Sequence, residues 1–161
     1  MSVFDRFRLD GKKLMITGGS RGLGREMVLA IAEAGADIIV TGRRSDSLET
    51  IAQEVSNFGR QCWTMQADMN DPKICESTCA QVLQEHSAVD ILINNVGGRR
   101  EDIPTEDMPL EKWRELMDLN LTSTFVCTSR IGKAMISAGQ GGRIINIGSM
   151  HSIFASPLGS A

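Results

Sequence analysis

A glycine-rich segment near the N-terminus has the residue types and spacing of a phosphate-binding turn. The sequence TGGSRGLG occupies residues 17–24, directly after the apolar run 14–16 and before a helical pattern. Glycines let the backbone turn sharply and approach a pyrophosphate, whose charge then lies against the unpaired amides of a helix N-terminus. The spacing GxxxGxG differs from the general GxGxxG fingerprint, so an ordinary tight turn is the alternative interpretation. We predict a dinucleotide site at this turn.

Apolar runs alternate with helical patterns along the chain, which is typical of repeated βαβ units. Strands are predicted at 13–17, 37–41, 62–67, 90–94 and 142–147, and helices at 23–34, 47–58, 72–85 and 110–138. The runs are apolar on both faces, as buried parallel strands require. The predicted fold class is therefore α/β, a Rossmann-like doubly wound parallel sheet with helices on both faces. Its ligand crevice is expected at the carboxyl ends of the strands.

Apolar residues of the second predicted helix recur at helical spacing from Leu48 to Phe58. This stripe is predicted to be core, and Gly59 is predicted to stop the helix as a left-handed cap residue. The chain shows no internal repeat, low-complexity tract or linker. We therefore expect residues 1–161 to belong to a single domain.

Composition excludes several classes of function. A formal net charge of -3 and short arginine pairs give no electrostatic footprint for nucleic acid. No stretch reaches a membrane-spanning length and the start lacks a signal-peptide pattern, so a cytoplasmic protein is expected. The four cysteines form no CxxC pair and only two histidines are present, so we predict no metal site. Cys75 and Cys79 lie one helical turn apart, but reduced thiols on a half-buried helix face, without a disulfide, are expected.

Four further motifs follow the glycine turn in a fixed order. They are Asp68, the sequence NNVG at 94–97, Asn120 and Ser149. Together with the glycine turn they resemble the short-chain dehydrogenase/reductase family, and the resemblance runs from about Leu9 to the last residue. The family pattern is usually NNAG, so Val96 is a departure, but an apolar side chain there still packs against a cofactor.

The resemblance implies a set of cofactor contacts. The pyrophosphate and adenosine ribose would be surrounded by Gly18, Ser20, Arg21, Gly22, Leu23 and Gly24. Asp68 would accept a hydrogen bond from the adenine amino group beside the Met69 backbone. The turn containing Asn94, Val96 and Gly97 would line the adenine ribose and the central sheet. The alternatives are that Asp68 caps the following helix and that the Asn94 amide satisfies loop amides.

The end of the second predicted strand determines which nicotinamide cofactor is favoured. NAD-preferring enzymes place an acid there to hold the ribose 2′-hydroxyl, whereas residues 39–44 read IVTGRR. Gly42 leaves room for a larger group, and the guanidinium groups of Arg43 and Arg21 suit a phosphate. We predict NADP(H) in preference to NAD(H). The alternative is that Arg43 and Arg44 form a solvated surface pair.

The resemblance also implies catalytic roles. Ser149 matches the family serine that donates a hydrogen bond to the reacting oxygen, and Asn120 matches an asparagine that holds a water in a proton relay. A buried structural amide satisfied by backbone is the alternative for Asn120. The family mechanism also uses a tyrosine acid/base and a lysine one turn later. The chain contains no tyrosine, and by family spacing that motif would begin beyond Ala161. We therefore expect an N-terminal portion in which the C-terminal strands and helices of the domain are missing.

Two hypotheses of different class follow. In the first, the intact protein is an NADP-dependent oxidoreductase of a ketone or secondary alcohol, a small molecule, and a homo-oligomer is expected. The stretches 97–100 and 148–151 are similar to those of gluconate 5-dehydrogenase members of the family, which favours a sugar or sugar acid. Arg99 and Arg100, with Met150 and His151, would meet that substrate; solvated side chains are the alternative. In the second hypothesis, the chain is a non-catalytic dinucleotide-binding or scaffolding protein.

Overall fold

Five parallel strands form the sheet of the computed structural model, which describes residues 2–86, 88–98, 103–150 and 153. The strands are β1 (Lys13–Ile16), β2 (Asp37–Gly42), β3 (Cys62–Gln66), β4 (Ile91–Asn94) and β5 (Arg143–Asn146). Their order across the sheet is β3-β2-β1-β4-β5, and each neighbouring pair is parallel. The chain reverses its winding direction between β1 and β4. This is the predicted doubly wound arrangement, and it creates a crevice at the carboxyl ends of the strands.

Helices cover both faces of the sheet. They are α1 (Gly22–Glu33), α2 (Ser45–Ser56), α3 (Pro72–Glu85), α4 (Leu110–Met117) and α5 (Ser123–Ala138), with short 3-10 helices at Phe4–Phe7 and Thr105–Asp107. Buried residues of α1 and α2 pack on one face, and buried residues of α3 and α5 pack on the other. Among the described residues, none of the helices combines the length and the apolar character that a bilayer span requires.

Alternation along the strands divides the core between these two faces. In β1, Leu14 and Ile16 belong to the layer under α1 and α2, whereas Met15 belongs to the layer under α3 and α5. All three side chains are fully buried. Successive side chains of a strand point to opposite faces, so a strand covered on both sides must be apolar throughout. The continuous apolar runs in the sequence have this physical cause.

Helix α2 ends earlier than the apolar spacing predicts. Its last residue is Ser56, and Val55 is fully buried, but Phe58 is 41% exposed. Gly59 adopts a φ of +68°, the left-handed conformation predicted for the residue that stops the helix. The prediction of Phe58 as core is wrong because the helix has already ended, and helical spacing no longer sets the direction of its side chain.

The long helix predicted over 110–138 is interrupted. Helices α4 and α5 are joined by a π-helical turn at Asp118–Thr122. A π turn accommodates an extra residue, which rotates the side chains after it relative to those before it. Apolar spacing alone predicts one uninterrupted helix here, so the structure corrects that prediction. Asn120 lies inside the π turn.

His86 lies in a buried position at the C-terminal end of α3. Its ring packs on Trp63 with ring centroids 4.5 Å apart, and the Lys13 Nζ lies 5.3 Å from the centroid of the same tryptophan. Burial and the positive charge of Lys13 lower the pKa of His86, while Glu85 opposes the shift. The folded protein therefore favours the neutral imidazole.

We expect the stability of the protein to fall as the pH is lowered from 7.5 to 5.5. The unfolded histidine binds a proton near pH 6.5, whereas the folded one resists it, so the unfolded state takes up more protons as the pH falls through this window. The free energy of unfolding should therefore decrease steadily as the pH falls through this window. Urea unfolding at several pH values measures this loss.

Two variants identify the group responsible. His86→Phe keeps an aromatic ring against Trp63 but cannot titrate, so the pH slope should disappear between 7.5 and 5.5. His151→Asn changes the other histidine of the sequence and should retain the slope. An equal slope in His86→Phe and the parent chain would assign the effect to another group.

Candidate functional site

A cleft of about 510 Å³ lies where the loops after β1, β2, β3 and β4 meet. Its lining residues come from all four loops and from the π turn. They are Gly18, Ser20, Arg21, Gly22, Leu23, Gly24, Thr41, Gly42, Arg43, Arg44, Ser47, Ala67, Asp68, Met69, Asn95, Val96, Gly97 and Leu119. Every residue expected to contact the cofactor is in this set except Asn94. The fold therefore brings together segments that are far apart in the sequence.

The glycine turn needs its glycines for two different reasons. Gly18 has a φ of +66°, and a Cβ there would lie 2.9 Å from Val96 Cγ2. A Cβ on Gly24 would lie 2.3 Å from the carbonyl oxygen of Gly18, closer than any real contact. The first turn of α1 therefore packs directly on the backbone of the preceding loop. Such close approach leaves room for a ligand where side chains would otherwise project.

Two polar side chains that the sequence analysis did not assign to the site hold this turn in place. Thr17 Oγ1 accepts hydrogen bonds from the backbone N–H groups of Asn95, at 3.0 Å, and of Val96, at 3.1 Å. Asn95 Nδ2 donates to the carbonyl oxygens of Thr17 and Gly18, both at 3.0 Å. The loops after β1 and β4 are thereby joined across the centre of the sheet. The second asparagine of the NNVG motif is the feature of the sequence that could have indicated this contact.

The N-terminus of α1 faces the cleft with its first-turn amides uncapped. Arg21 occupies the N-cap position, and its side chain makes no capping hydrogen bond. The early residues of the helix, Gly22, Leu23 and Gly24, all line the cleft. Unpaired N–H groups and the helix dipole together favour an anion at this position.

Three arginines and one acid border the cleft, so its charge is positive on balance. Arg44 Nη2 lies 2.5 Å from Asp46 Oδ2, and its Nε lies 3.1 Å from Oδ1. This pairing lowers the pKa of Asp46. Within the described residues, Arg43 makes no salt bridge, and it is exposed at the cleft. The two neighbouring arginines therefore differ: one is neutralised by a carboxylate, and the other is available to an anion.

The carboxyl end of β3 supplies the opposite wall through Ala67, Asp68 and Met69. Asp68 Oδ1 accepts a hydrogen bond from the backbone N–H of Asn70 at 3.1 Å. Helix α3 is capped instead by Asp71, whose Oδ1 accepts from the backbone N–H of Lys73 at 2.8 Å. The alternative of Asp68 as the helix cap is therefore wrong, and its side chain belongs to the cleft wall.

Asn94 is directed away from the cleft, which corrects its expected place there. Its Nδ2 donates to Thr128 Oγ1 at 3.0 Å and to Asn146 Oδ1 at 2.8 Å. The residue is the last of β4, and its side chain is 3% exposed. It joins β4 to β5 and α5, so its neighbour Asn95 is the asparagine of this motif that lines the cleft.

Asn120 is exposed and clamps the loop that follows β4. Its Oδ1 accepts from the backbone N–H of Gly98 at 2.9 Å, and its Nδ2 donates to the carbonyl oxygens of Gly98, at 3.2 Å, and Leu116, at 2.9 Å. The backbone satisfies this amide, as in the expected alternative, but the side chain is not buried as that alternative required. The adjacent Leu119 lines the cleft, so Asn120 lies beside it.

The remaining expected site residues lie beyond β5 or after Gly98. Ser149 follows β5 at the carboxyl edge of the sheet and is exposed, outside the set of lining residues. Met150 is also exposed. Arg99, Arg100 and His151 lie outside the described residues. Across the described part of the chain, no three His, Cys, Asp or Glu side chains are grouped as a metal ion would require.

The chemistry of the cleft fits a dinucleotide. An uncapped helix N-terminus and unneutralised guanidinium groups suit phosphate groups, and the glycine turn admits close approach of a pyrophosphate. Asp68 supplies a hydrogen-bond acceptor on the opposite wall. The apolar side chains of Leu23, Val96 and Leu119 supply surface for flat rings.

Comparison with known proteins gives concordant matches. A family model described as short chain dehydrogenase matches residues 12–161. The chain is 38% identical over 150 residues to a 2-dehydro-3-deoxy-D-gluconate 5-dehydrogenase of Bacillus subtilis, covering 93% of this chain and 58% of that protein. It is 32% identical over 157 residues to a gluconate 5-dehydrogenase of Gluconobacter oxydans, covering 98% and 60%.

Solved structures agree with these matches. A gluconate 5-dehydrogenase from Burkholderia cenocepacia, crystallised with NADP and tartrate, superposes with a TM-score of 0.87 at 32% identity. The match covers 99% of this chain and 62% of that one. The chain thus spans about three fifths of the length of the relatives it matches.

Proposed function

Because the chain belongs to the short-chain dehydrogenase/reductase family, we propose that its cleft binds NADP(H) and that the whole protein is an oxidoreductase. The reaction would be hydride transfer between the nicotinamide and a ketone or secondary alcohol. Residues 1–161 would act as one NADP-binding Rossmann domain. The observation that carries the proposal is that the glycine turn, the uncapped N-terminus of α1 and Arg43 border one cleft.

The cleft residues have distinct proposed roles in holding the coenzyme. The backbone N–H groups at the start of α1 would bind the pyrophosphate, and Asp68 would accept from the adenine amino group. Arg43 and Arg21 would bind the 2′-phosphate of NADP(H). Gly42 stands where an acid would hold a 2′-hydroxyl in NAD-preferring enzymes, so no carboxylate on the end of β2 repels that phosphate. Asn95 would act indirectly, by positioning the backbone of Gly18 through the bond described above.

Calorimetric titration of the 161-residue chain with NADPH and with NADH tests this assignment. We expect NADPH to bind at least about tenfold more tightly, because a charge-assisted bond to phosphate contributes about 1.5–3 kcal/mol. Equal or tighter binding of NADH would remove the proposed preference. Well-folded chain that released no heat with either coenzyme would contradict the dinucleotide site itself.

Ser149 and Asn120 are the proposed contributors to catalysis. A bound nicotinamide supplies or accepts the hydride. The Ser149 hydroxyl would donate a hydrogen bond to the reacting oxygen and stabilise the negative charge that develops on it. Asn120 would hold the loop at Gly98 and, through it, the shape of the cleft wall.

The tyrosine and lysine that the family uses for proton transfer are not among these candidates, since the 161 residues contain no tyrosine. The activity therefore has to be measured on the whole protein.

We propose a sugar acid or polyol as the substrate class. The support is that two similar relatives are named as 5-dehydrogenases of gluconate and of 2-dehydro-3-deoxy-D-gluconate. Arg99 and Arg100 would bind the carboxylate. NADPH oxidation by the whole protein with keto sugar acids, compared with uncharged ketones of similar size, measures this preference. Coenzyme binding with no turnover of any carbonyl compound would favour the alternative, a non-catalytic binding protein.

Assembly and location are further parts of the proposal. Phe125 and Ile136 of α5 are 68% and 83% exposed, and about three helical turns separate them, so they share one face of the helix. Apolar surface grouped on one face is typical of a contact site. We propose that the whole protein is a cytoplasmic homo-oligomer that uses this helix. Light scattering on the whole protein would test the assembly, and a monomer at micromolar concentration would contradict it.

A further inference from the structure

Three cysteines meet in the core between α3 and α5, away from the cleft. Cys75 and Cys79 lie on α3, Cys127 lies on α5, and all three are fully buried. The Sγ atoms of Cys79 and Cys127 are 3.7 Å apart, although the residues are separated by 48 positions in the sequence. The packing of α3 on α5 therefore places two thiols in direct contact.

The hydrogen bonds of these thiols distinguish the pair from the third cysteine. Cys75 Sγ donates to the carbonyl oxygen of Met69 at 3.1 Å. Cys79 and Cys127 instead share a hydrogen bond between their sulfur atoms. Spacing in the sequence drew attention to Cys75 and Cys79, one turn apart on the same helix. The structure pairs Cys79 with the residue on the neighbouring helix.

Charges next to the pair make its two members unequal. Arg130 lies three residues after Cys127, Glu76 lies three residues before Cys79, and Arg130 Nη2 is 2.6 Å from Glu76 Oε1. The hydrogen bond shared by the two sulfur atoms lowers the pKa of Cys79, burial opposes this, Arg130 lowers the pKa further and Glu76 raises it. The same hydrogen bond and burial raise the pKa of Cys127. Because the thiolate is the nucleophile in thiol oxidation, Cys79 is the member suited to attack.

We propose that Cys79 and Cys127 form a modification site, a dithiol that a hydroperoxide oxidises to a disulfide joining α3 to α5. The Cys79 thiolate attacks one oxygen of hydrogen peroxide, forming a sulfenic acid and releasing hydroxide, which takes the proton of the Cys127 thiol and becomes water. The Cys127 thiolate then attacks the Cys79 sulfur and displaces a second hydroxide. With hydrogen peroxide, two thiols and one peroxide become one disulfide and two water molecules. The sulfur atoms must approach from 3.7 Å to about 2.05 Å.

The bridge would connect two walls of the cleft. Met69 lines the cleft shortly before α3 begins, and Leu119 lines it in the turn before α5. A covalent link between the helices would fix the distance between these walls. Full burial of both sulfurs means that the oxidant must be small and that the reaction proceeds through local opening of the helix pair. The inference is independent of the coenzyme and of the reaction proposed above.

Oxidation of the folded 161-residue chain with hydrogen peroxide tests the proposal. After removal of the peroxide, the chain is unfolded, its remaining thiols are alkylated and its tryptic peptides are weighed without reduction. We expect the peptides containing Cys79 and Cys127 to be joined with the loss of two hydrogen atoms, and dithiothreitol to separate them. Cys62 and Cys75 should be recovered as alkylated thiols.

Variants assign the bond to its two sulfurs. Trypsin leaves Cys75 and Cys79 on one peptide, so the experiment is repeated with Cys75→Ser, where the link should persist. It should also persist in Cys62→Ser, and it should be lost in Cys79→Ala and in Cys127→Ala. Four alkylated thiols after oxidation, a sulfinic acid on Cys79 without a link, or a link through Cys62, Cys75 or a second chain would each overturn the proposal.

Discussion

Replacing Gly24 with alanine is expected to weaken NADPH binding by roughly 5-fold to 150-fold. The added Cβ would lie 2.3 Å from the Gly18 carbonyl oxygen and 2.7 Å from Asn95 Nδ2. The first neighbour is backbone, and the second is a side-chain amide that two hydrogen bonds hold against the turn, so the glycine turn must move away from α1. Overpacking of this kind costs about 1–3 kcal/mol, and the displaced amides no longer converge on one phosphate. Titration with NADPH followed by calorimetry measures the loss.

Gly132→Ala is the matched control for this substitution. Gly132 lies inside α5, and a Cβ there would meet only Ile144 Cδ1 at 3.4 Å, an ordinary contact. Its coenzyme affinity should equal that of the parent chain, and its helix should be slightly more stable. Circular dichroism establishes that both variants are folded before titration. A folded Gly24→Ala chain with affinity within about threefold of the parent would show that the close approach is not required for binding.

Replacing Arg43 with alanine is expected to weaken NADPH binding by roughly 10-fold to 100-fold and to leave NADH binding unchanged. The exposed guanidinium of Arg43 lies at the cleft, without a carboxylate partner among the described residues. A bidentate bond between guanidinium and phosphate contributes about 1.5–3 kcal/mol, which corresponds to this range. NADH lacks the 2′-phosphate and therefore loses nothing. Parallel titrations with the two coenzymes measure the change in preference.

Arg44→Ala supplies the comparison within the same loop. Both arginines border the cleft, but Arg44 is bound to Asp46 through two of its nitrogens, so its charge is already compensated. We expect its removal to change NADPH affinity by less than about threefold, because an exposed ion pair contributes little. Equal losses in the two variants would mean that general positive charge, rather than a specific bond from Arg43, attracts the phosphate.

Local patterns in the sequence were sufficient for most of the fold. The helix predicted over 72–85 has those bounds in the structure, where Pro72 starts it and Asp71 caps it. The five strands were found from apolar runs, and Gly59 has the left-handed conformation predicted from its place after a helical stripe. These features depend on neighbours within a few residues, so they can be predicted directly from the sequence.

The interruption of the long helix and the direction of Asn94 could not be predicted in the same way. Apolar spacing fits α4 and α5 separately, but it does not reveal the extra residue that the π turn at Asp118–Thr122 accommodates. Asn94 and Asn95 are adjacent, and either could have faced the cleft. The choice depends on where β4 stops pairing with β5, since Asn94 is still paired with Asn146 and Asn95 is not.

The sequence by itself determined which chemical groups the cleft can contain: a glycine turn, arginines and a carboxylate, each following an apolar strand. Side-chain alternation and helix spacing are properties of the local backbone, so the groups that follow each strand can be predicted without the tertiary structure. Only the tertiary structure decided that Arg44 is neutralised while Arg43 is not, that Asn95 rather than Asn94 holds the turn, and that Cys79 meets Cys127. The physical reason is that these contacts join separate loops and helices, and their distances are set by how the layers pack on the sheet.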